Sequence, residues 1–267
     1  MSVHEEIVEQ RKKLKGQGFK AHMDYFWEYY KIHTIVAVIV IIFLVTLIRD
    51  ISNNKPYALY ALFVNNRGMN TQEYIQNGFI EKAAIDTKAE AVLVDTASNY
   101  LSSSMDTTVV ATSEKIMALL SAKELDVMVG DEQVIYHYGT QETFMDLRDV
   151  FSEDELKKLD ESGLILYVDQ GYIDYLDSEE YSNYIISKKY DESNKYAVMA
   201  ANYDETFEET IPDKTEMDNP IPFGIILKNS AALKECDAYP EETAVAAIAI
   251  NTPRPERSIE FVEYLMQ

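Results

Sequence analysis

From Ile32 to Ile48 the chain reads IHTIVAVIVIIFLVTLI without a formally charged residue, and from Ile35 to Val45 every side chain is apolar. A helix that is apolar on every face must be buried in a large core or in a bilayer. Seventeen residues rising about 1.5 Å each span roughly 25 Å, a little short of a hydrocarbon core of about 30 Å, so the flanks must supply the difference. Tyr25, Phe26, Trp27, Tyr29 and Tyr30 precede the run, where rings favour the headgroup zone, and Lys31 and Arg49 can snorkel outward from its ends.

A cleaved signal peptide is the competing expectation. The polar stretch before the run is 31 residues long, and Arg49, Asp50, Ile51, Ser52 and Asn53 follow it without a small-x-small cleavage signal. The sequence therefore predicts a permanent anchor over 32–51, with the lipid bilayer as partner through residues 32–48. Arg11, Lys12, Lys13, Lys15, Lys20 and Lys31 lie before the span, against Arg49, Lys55 and Arg67 after it. The positive-inside rule then makes 1–31 a cytoplasmic segment and puts the rest of the chain outside the cell membrane.

The outer part is strongly acidic. Residues 32–267 hold 41 acidic and 18 basic side chains, a net charge of −23, which repels a phosphate backbone and argues against nucleic acid as a partner. Cys236 is the single cysteine, which excludes an intramolecular disulfide and a multi-thiolate zinc site. Only His137 of the four histidines follows the anchor, so a histidine metal cluster cannot form there. It is expected to be a surface or packing residue. No EF-hand spacing, Walker loop or G-x-G-x-x-G occurs, and no nucleophile motif accompanies His137, so neither cofactor, metal nor catalysis is expected.

Asn53, Asn54, Lys55 and Pro56 read as a polar stop, and a domain is expected over 57–267. Strand-type runs fall at Tyr57–Val64, Ala89–Val94 and Leu125–Val129, with helical spacing between them: one helix after Thr71 as cap, with Tyr74, Ile75, Phe79 and Ile80 recurring, and one after Asp106 as cap, with Val109, Ile116, Met117 and Leu120 inward. Strand, helix, strand, helix, strand predicts an α/β fold with a mainly parallel sheet flanked by helices. Ser152 and Glu155 form the signature of a capping box for a helix over 152–160. Further strands are expected at Leu164–Val168, Tyr196–Ala200, Pro222–Leu227 and Thr243–Ile250, separated by acidic, tyrosine-rich loops at 174–194 and 203–219, with a last helix from Pro255 to Met266 burying Ile259, Val262 and Met266.

Two segments, EKIMALLSAKELDVMVGDEQVIYHYG (114–139) and AVAAIAINTPRPERSIEFVEYLM (244–266), resemble extracellular solute-binding proteins of the type 2 periplasmic-binding fold, the receptors of ABC importers. MDLRDVFSEDELKKL (145–159) is similar to the segment where such proteins pass between lobes. The domain is shorter than family members usually are and follows a helix, and this departure from the family pattern implies a second lobe that is reduced or missing. The resemblance implies a non-enzymatic protein that captures a small-molecule ligand for a membrane transporter. The alternative is a binding fold turned interaction module in a cell-envelope complex. Ligands would meet the carboxyl ends of the parallel strands. The candidates are Asn65, Asn66 and Arg67 after the first strand, Asp95 and Thr96 after the second, and Asp131, Glu132 and Tyr136 after the third. Turn and cap roles remain open for Asn65, Asn66, Asp95 and Asp131, as does a surface ion pair for Arg67. Aromatic faces with a few acids suit a sugar, a peptide or a cationic solute.

Overall fold

The computed structural model describes residues 18–53, 55–100 and 107–267. Arg11, Lys12, Lys13 and Lys15, Asn54 of the polar stop and the expected cap Asp106 lie outside the described residues. The chain divides into two compact units at Lys55 and Pro56.

The first unit is one long helix, α1 (Phe19–Asn53). Its apolar window runs from Tyr30 to Arg49, 20 residues, which at 1.5 Å per residue reaches about 30 Å and matches a bilayer core. The flanks thus supply the length that the apolar run alone lacks. Every side chain from Ile35 to Ile48 is exposed to the surroundings, which suits lipid and not a protein core. Phe26 stacks on Tyr30 at 5.8 Å, and Tyr30 meets His33 edge-on at 6.5 Å.

The second unit is a three-layer α/β domain. Its elements are β1 (Tyr57–Val64), α2 (Thr71–Lys82), β2 (Ala91–Ser98), α3 (Thr107–Ser121), β3 (Val127–Asp131), α4 (Glu132–Gly139), α5 (Glu153–Glu161), β4 (Ile165–Asp169), α6 (Gln170–Leu176), α7 (Glu179–Ser187), α8 (Lys195–Thr206), β5 (Pro220–Ile226), α9 (Ala231–Glu235), β6 (Ala244–Ile248) and α10 (Pro255–Leu265). The six strands form one sheet in the order β2-β1-β3-β6-β5-β4. β1 pairs in parallel with β2 and β3, whereas β3–β6, β6–β5 and β5–β4 are antiparallel. The expectation of a mainly parallel sheet therefore holds for its first half only, and the sheet is mixed. Strands such as AVAAI of β6 are buried on both faces, and a strand apolar on both faces carries no signal of direction.

β1 is an interior strand, flanked by β2 and β3, with residues 58–64 all buried. Leu59, Ala61 and Phe63 pack on one face with α2 and α10, while Leu62 and Val64 pack on the other with Met128, Val134 and Ile135, as the two-residue period of a strand requires. Phe79 of α2 and Phe261 of α10 meet edge to face at 4.9 Å. The capping box of α5 forms as expected: the Ser152 hydroxyl accepts from the Glu155 amide and the Glu155 carboxylate accepts from the Ser152 amide.

Several local expectations are corrected. Tyr196–Ala200 is not a strand but the body of α8, capped by Asn194, whose side chain accepts from the Tyr196 amide at 3.1 Å; Ala and Met are strong helix formers, and a five-residue apolar run does not discriminate by period. The supposed loop 174–194 contains all of α7 and the end of α6. Asn70, not Thr71, occupies the cap position of α2, without a side-chain bond. On α3 the buried residues are Val109, Thr112 and Ile116, and Met117 is 65% exposed; α10 buries Phe261 and Leu265 alongside Val262. Residues 170–219, between β4 and β5, carry α6–α8 with a small core of Tyr172, Tyr175, Ala197, Met199 and Ala200.

Candidate functional site

β1 and β3 end side by side, and the loops that follow them open into a cleft of about 660 Å³. The two strand ends are tied together by Tyr239, whose hydroxyl donates to the carbonyls of Val64 at 2.8 Å and Val129 at 3.1 Å. At the end of β1, Asn65 adopts a left-handed backbone (φ 61°), a conformation that asparagine tolerates better than most residues. This turns its side chain across the strand ends. The Asn65 amide group donates to Asp131 at 2.6 Å and to the Tyr100 carbonyl at 2.8 Å, and its carbonyl accepts from the Tyr100 amide at 2.7 Å. Asp131 closes β3 and caps α4, accepting from the Val134 amide at 3.0 Å. One asparagine therefore joins the three loops that follow the parallel strands.

The opposite wall comes from residues 170–219. The ring of His137, on α4, lies between Tyr100 (centroids 5.5 Å) and Tyr203 of α8 (5.4 Å), close to parallel with both. Its Nδ1 donates to the buried Glu209 carboxylate at 2.8 Å, and its Nε2 faces the side-chain amide of Gln141 at 3.0 Å. Gln133 clamps the Glu209 backbone, accepting from its amide at 2.7 Å and donating to its carbonyl at 3.2 Å. Burial, followed by the nearby Tyr100 and Glu209, pushes the Tyr203 phenol well above its ordinary value, so it is neutral in the cleft. Partial burial, then the Asp131 charge, raises the Glu242 carboxyl, with Arg67 opposing. Acids outnumber cations along the lining: Asp131, Glu132, Glu208, Glu209 and Glu242 against Arg67.

Of the sequence candidates, the fold brings Asn65, Arg67, Asp131 and Glu132 to this cleft. Arg67 is largely exposed and stands 4.0 Å from Glu242, the surface pair left open above. The other four are elsewhere. Asn66 braces its own turn by donating to the Gly68 carbonyl at 2.8 Å. β2 runs to Ser98, so Asp95 and Thr96 lie inside the strand and not after it. Asp95 is bound to Lys115 at 2.7 Å and accepts from the Tyr60 hydroxyl at 3.1 Å. Tyr136 is fully buried against Phe223: α4 meets the cleft through Glu132, Gln133 and Val134 of its first turn and His137 one turn after Gln133, and Tyr136 lies on another face of the helix. Sequence reasoning missed Asn99 and Tyr100, displaced by the early end assigned to β2, and Tyr203, Glu209 and Glu242, which only the tertiary fold brings near. Among the described residues no group of three His, Cys, Asp or Glu is placed to hold a metal ion.

Fold and site define an α/β domain with an acidic, aromatic cleft at the carboxyl edge of the parallel half of its sheet, in a chain that also carries a helix long and apolar enough to cross a membrane. No protein-family model matches the chain, and neither a curated protein nor a solved structure matches it.

Proposed function

We propose that this chain is a membrane-tethered, extracytoplasmic, non-enzymatic solute-binding protein with a reduced type 2 periplasmic-binding fold, which captures a small solute for an ABC-type importer. The observation that carries the reading is the cleft itself. Its volume of about 660 Å³ falls within the range of small-molecule sites, and it opens where the loops of parallel strands converge, the usual ligand position in open α/β sheets. The helical segment 170–219 stands in for the second lobe, contributing Tyr203, Phe207, Glu208 and Glu209 to the wall that faces Asn65 and Asp131. Both ring nitrogens of His137 are engaged within the domain, by Glu209 and Gln141, which favours binding over acid–base catalysis. The length of the apolar window and the basic residues before it support a permanent anchor with the domain outside.

The test is a thermal-shift screen of the full chain in detergent against sugars, peptides, amino acids and cations. A true ligand at about one hundred times its Kd stabilises by about 2.7 kcal/mol, a rise in Tm on the order of 5–10 °C for a domain of this size. A uniformly flat screen contradicts the proposal. A second reading, an interaction module within a cell-envelope complex, is favoured by Ile185 and Ile186 at the end of α7, 47% and 85% exposed. Co-purification of one defined partner, lost on replacing both isoleucines with serine, would select it.

A further inference from the structure

A second cavity of about 400 Å³ adjoins the cleft. The two share a wall of three residues, His137, Tyr203 and Glu209. Beyond that wall the second cavity is bounded by Tyr172, Asp177 and Tyr181, all within or next to α6 and α7. Each cavity thus has aromatic sides and its own carboxylate. The carboxylates of Glu132 and Glu208 on the near side and Asp177 on the far side have no hydrogen bond or ion pair among the described residues. Glu242 is the fourth acid with little compensation: among the described residues its one paired cation, Arg67, stands 4.0 Å away.

We propose that the two cavities act as one extended groove for a linear polyamine, with an ammonium group at each end and the methylene chain crossing the edge of the His137–Tyr203 stack. This rests on the reading of the cleft as a solute site. The chemistry selects the ligand class in three steps. Anions are repelled by the lining. A neutral chain would cover Glu132, Glu208 and Asp177 without offering them charge, which costs desolvation with no return. A single amine fills one cavity and leaves the other in water, whereas a chain with amines at both ends meets both acid groups, and the tyrosine rings between them attract the ammonium groups and shelter the methylenes.

The test is isothermal titration of the full chain, held in nanodiscs of zwitterionic phosphatidylcholine, with spermine, n-butylamine and tetraethylene glycol. Spermine should bind at least about tenfold more tightly than butylamine, because its second contact is intramolecular, and the glycol should not bind. Glu132→Gln and Asp177→Asn, both at solvent-accessible positions, should each weaken spermine roughly two- to fivefold, as loss of one accessible ion pair implies. Equal affinity for spermine and butylamine, spermine binding indifferent to Asp177→Asn, or no spermine binding each overturns the groove. If one of these occurs while another solute class in the wider screen binds and is displaced by Glu132→Gln, the solute-binding reading stands and only the polyamine assignment falls.

Discussion

Replacing Asn65 probes the cleft and the strand ends together. Asn65→Ala removes three hydrogen bonds, of which the 2.6 Å bond to the Asp131 carboxylate is charge-assisted. A neutral bond contributes about 1 kcal/mol and one to a charged group about 1.5–3 kcal/mol. Part of this returns as water reaches the open cleft, leaving a loss of roughly 3 kcal/mol. Alanine must also hold φ near 61°, which costs a residue with a Cβ about 1 kcal/mol more than glycine. Asn65→Gly loses the same side-chain bonds without that strain. The expected order of stability is wild type, then Gly, then Ala, with Gly about 3 kcal/mol and Ala about 4 kcal/mol below wild type, or Tm falls on the order of 6–16 °C. The sole tryptophan, Trp27, is in α1, so its fluorescence does not report on the domain. Urea unfolding should be followed by near-ultraviolet circular dichroism of the tyrosines. If Ala equals or exceeds Gly in stability, the backbone strain is not real. If both variants lose less than about 0.5 kcal/mol, Asn65 does not join the loops.

Three further outcomes follow from the same physics. Asp126 is 0% exposed and accepts from the Tyr60 amide, from Arg254 Nε and from the Thr252 hydroxyl, while Arg254 is 23% exposed. Arg254→Met should therefore cost about 3–5 kcal/mol by stranding a buried charge, and adding Asp126→Asn should restore part of it in the same urea assay. Burial alone would raise the Asp169 carboxyl, but the amides of Asp218, Asn219 and Gly171 and the Tyr196 hydroxyl hold it below its ordinary value. A depressed folded value gives stability that is present above about pH 4, the unfolded value, and lost as pH falls through the folded one; Asp169→Asn should flatten that acid limb of the Tm–pH curve. Burial pushes Tyr138 up to about 12, and burial with the Asp204 bond does the same to Tyr184. Raised values give stability that is complete below about pH 10 and lost as pH rises above it, so ultraviolet difference absorbance should show these phenols ionising together with unfolding.

What was legible in the sequence was local. The apolar run of α1, the Ser152–Glu155 cap and Pro255 at the start of α10 are each decided by residues within a few positions, and each stands where its signal fell. Asn65 and Asp131 were legible because turn residues following strands are placed by chain connectivity. Strand direction was not: β6 joins β3 antiparallel through backbone bonds that any apolar sequence can make. The far wall was not legible either. Tyr203 and Glu209 reach His137 only because 170–219 folds back over the sheet, and their spacing in the chain carries no trace of it. Asp95 misled because a carboxylate within a strand looks like a strand end until Lys115 appears beside it.

The central claim, an anchored domain displayed outside the membrane, is tested most directly by adding protease to intact cells that express the chain with a tag at each end. The domain beyond Asn53 should be digested while the amino-terminal tag survives at the size of the anchored fragment. A domain that stays intact until the cells are lysed, or a mature protein whose first residue lies beyond Asp50, contradicts it.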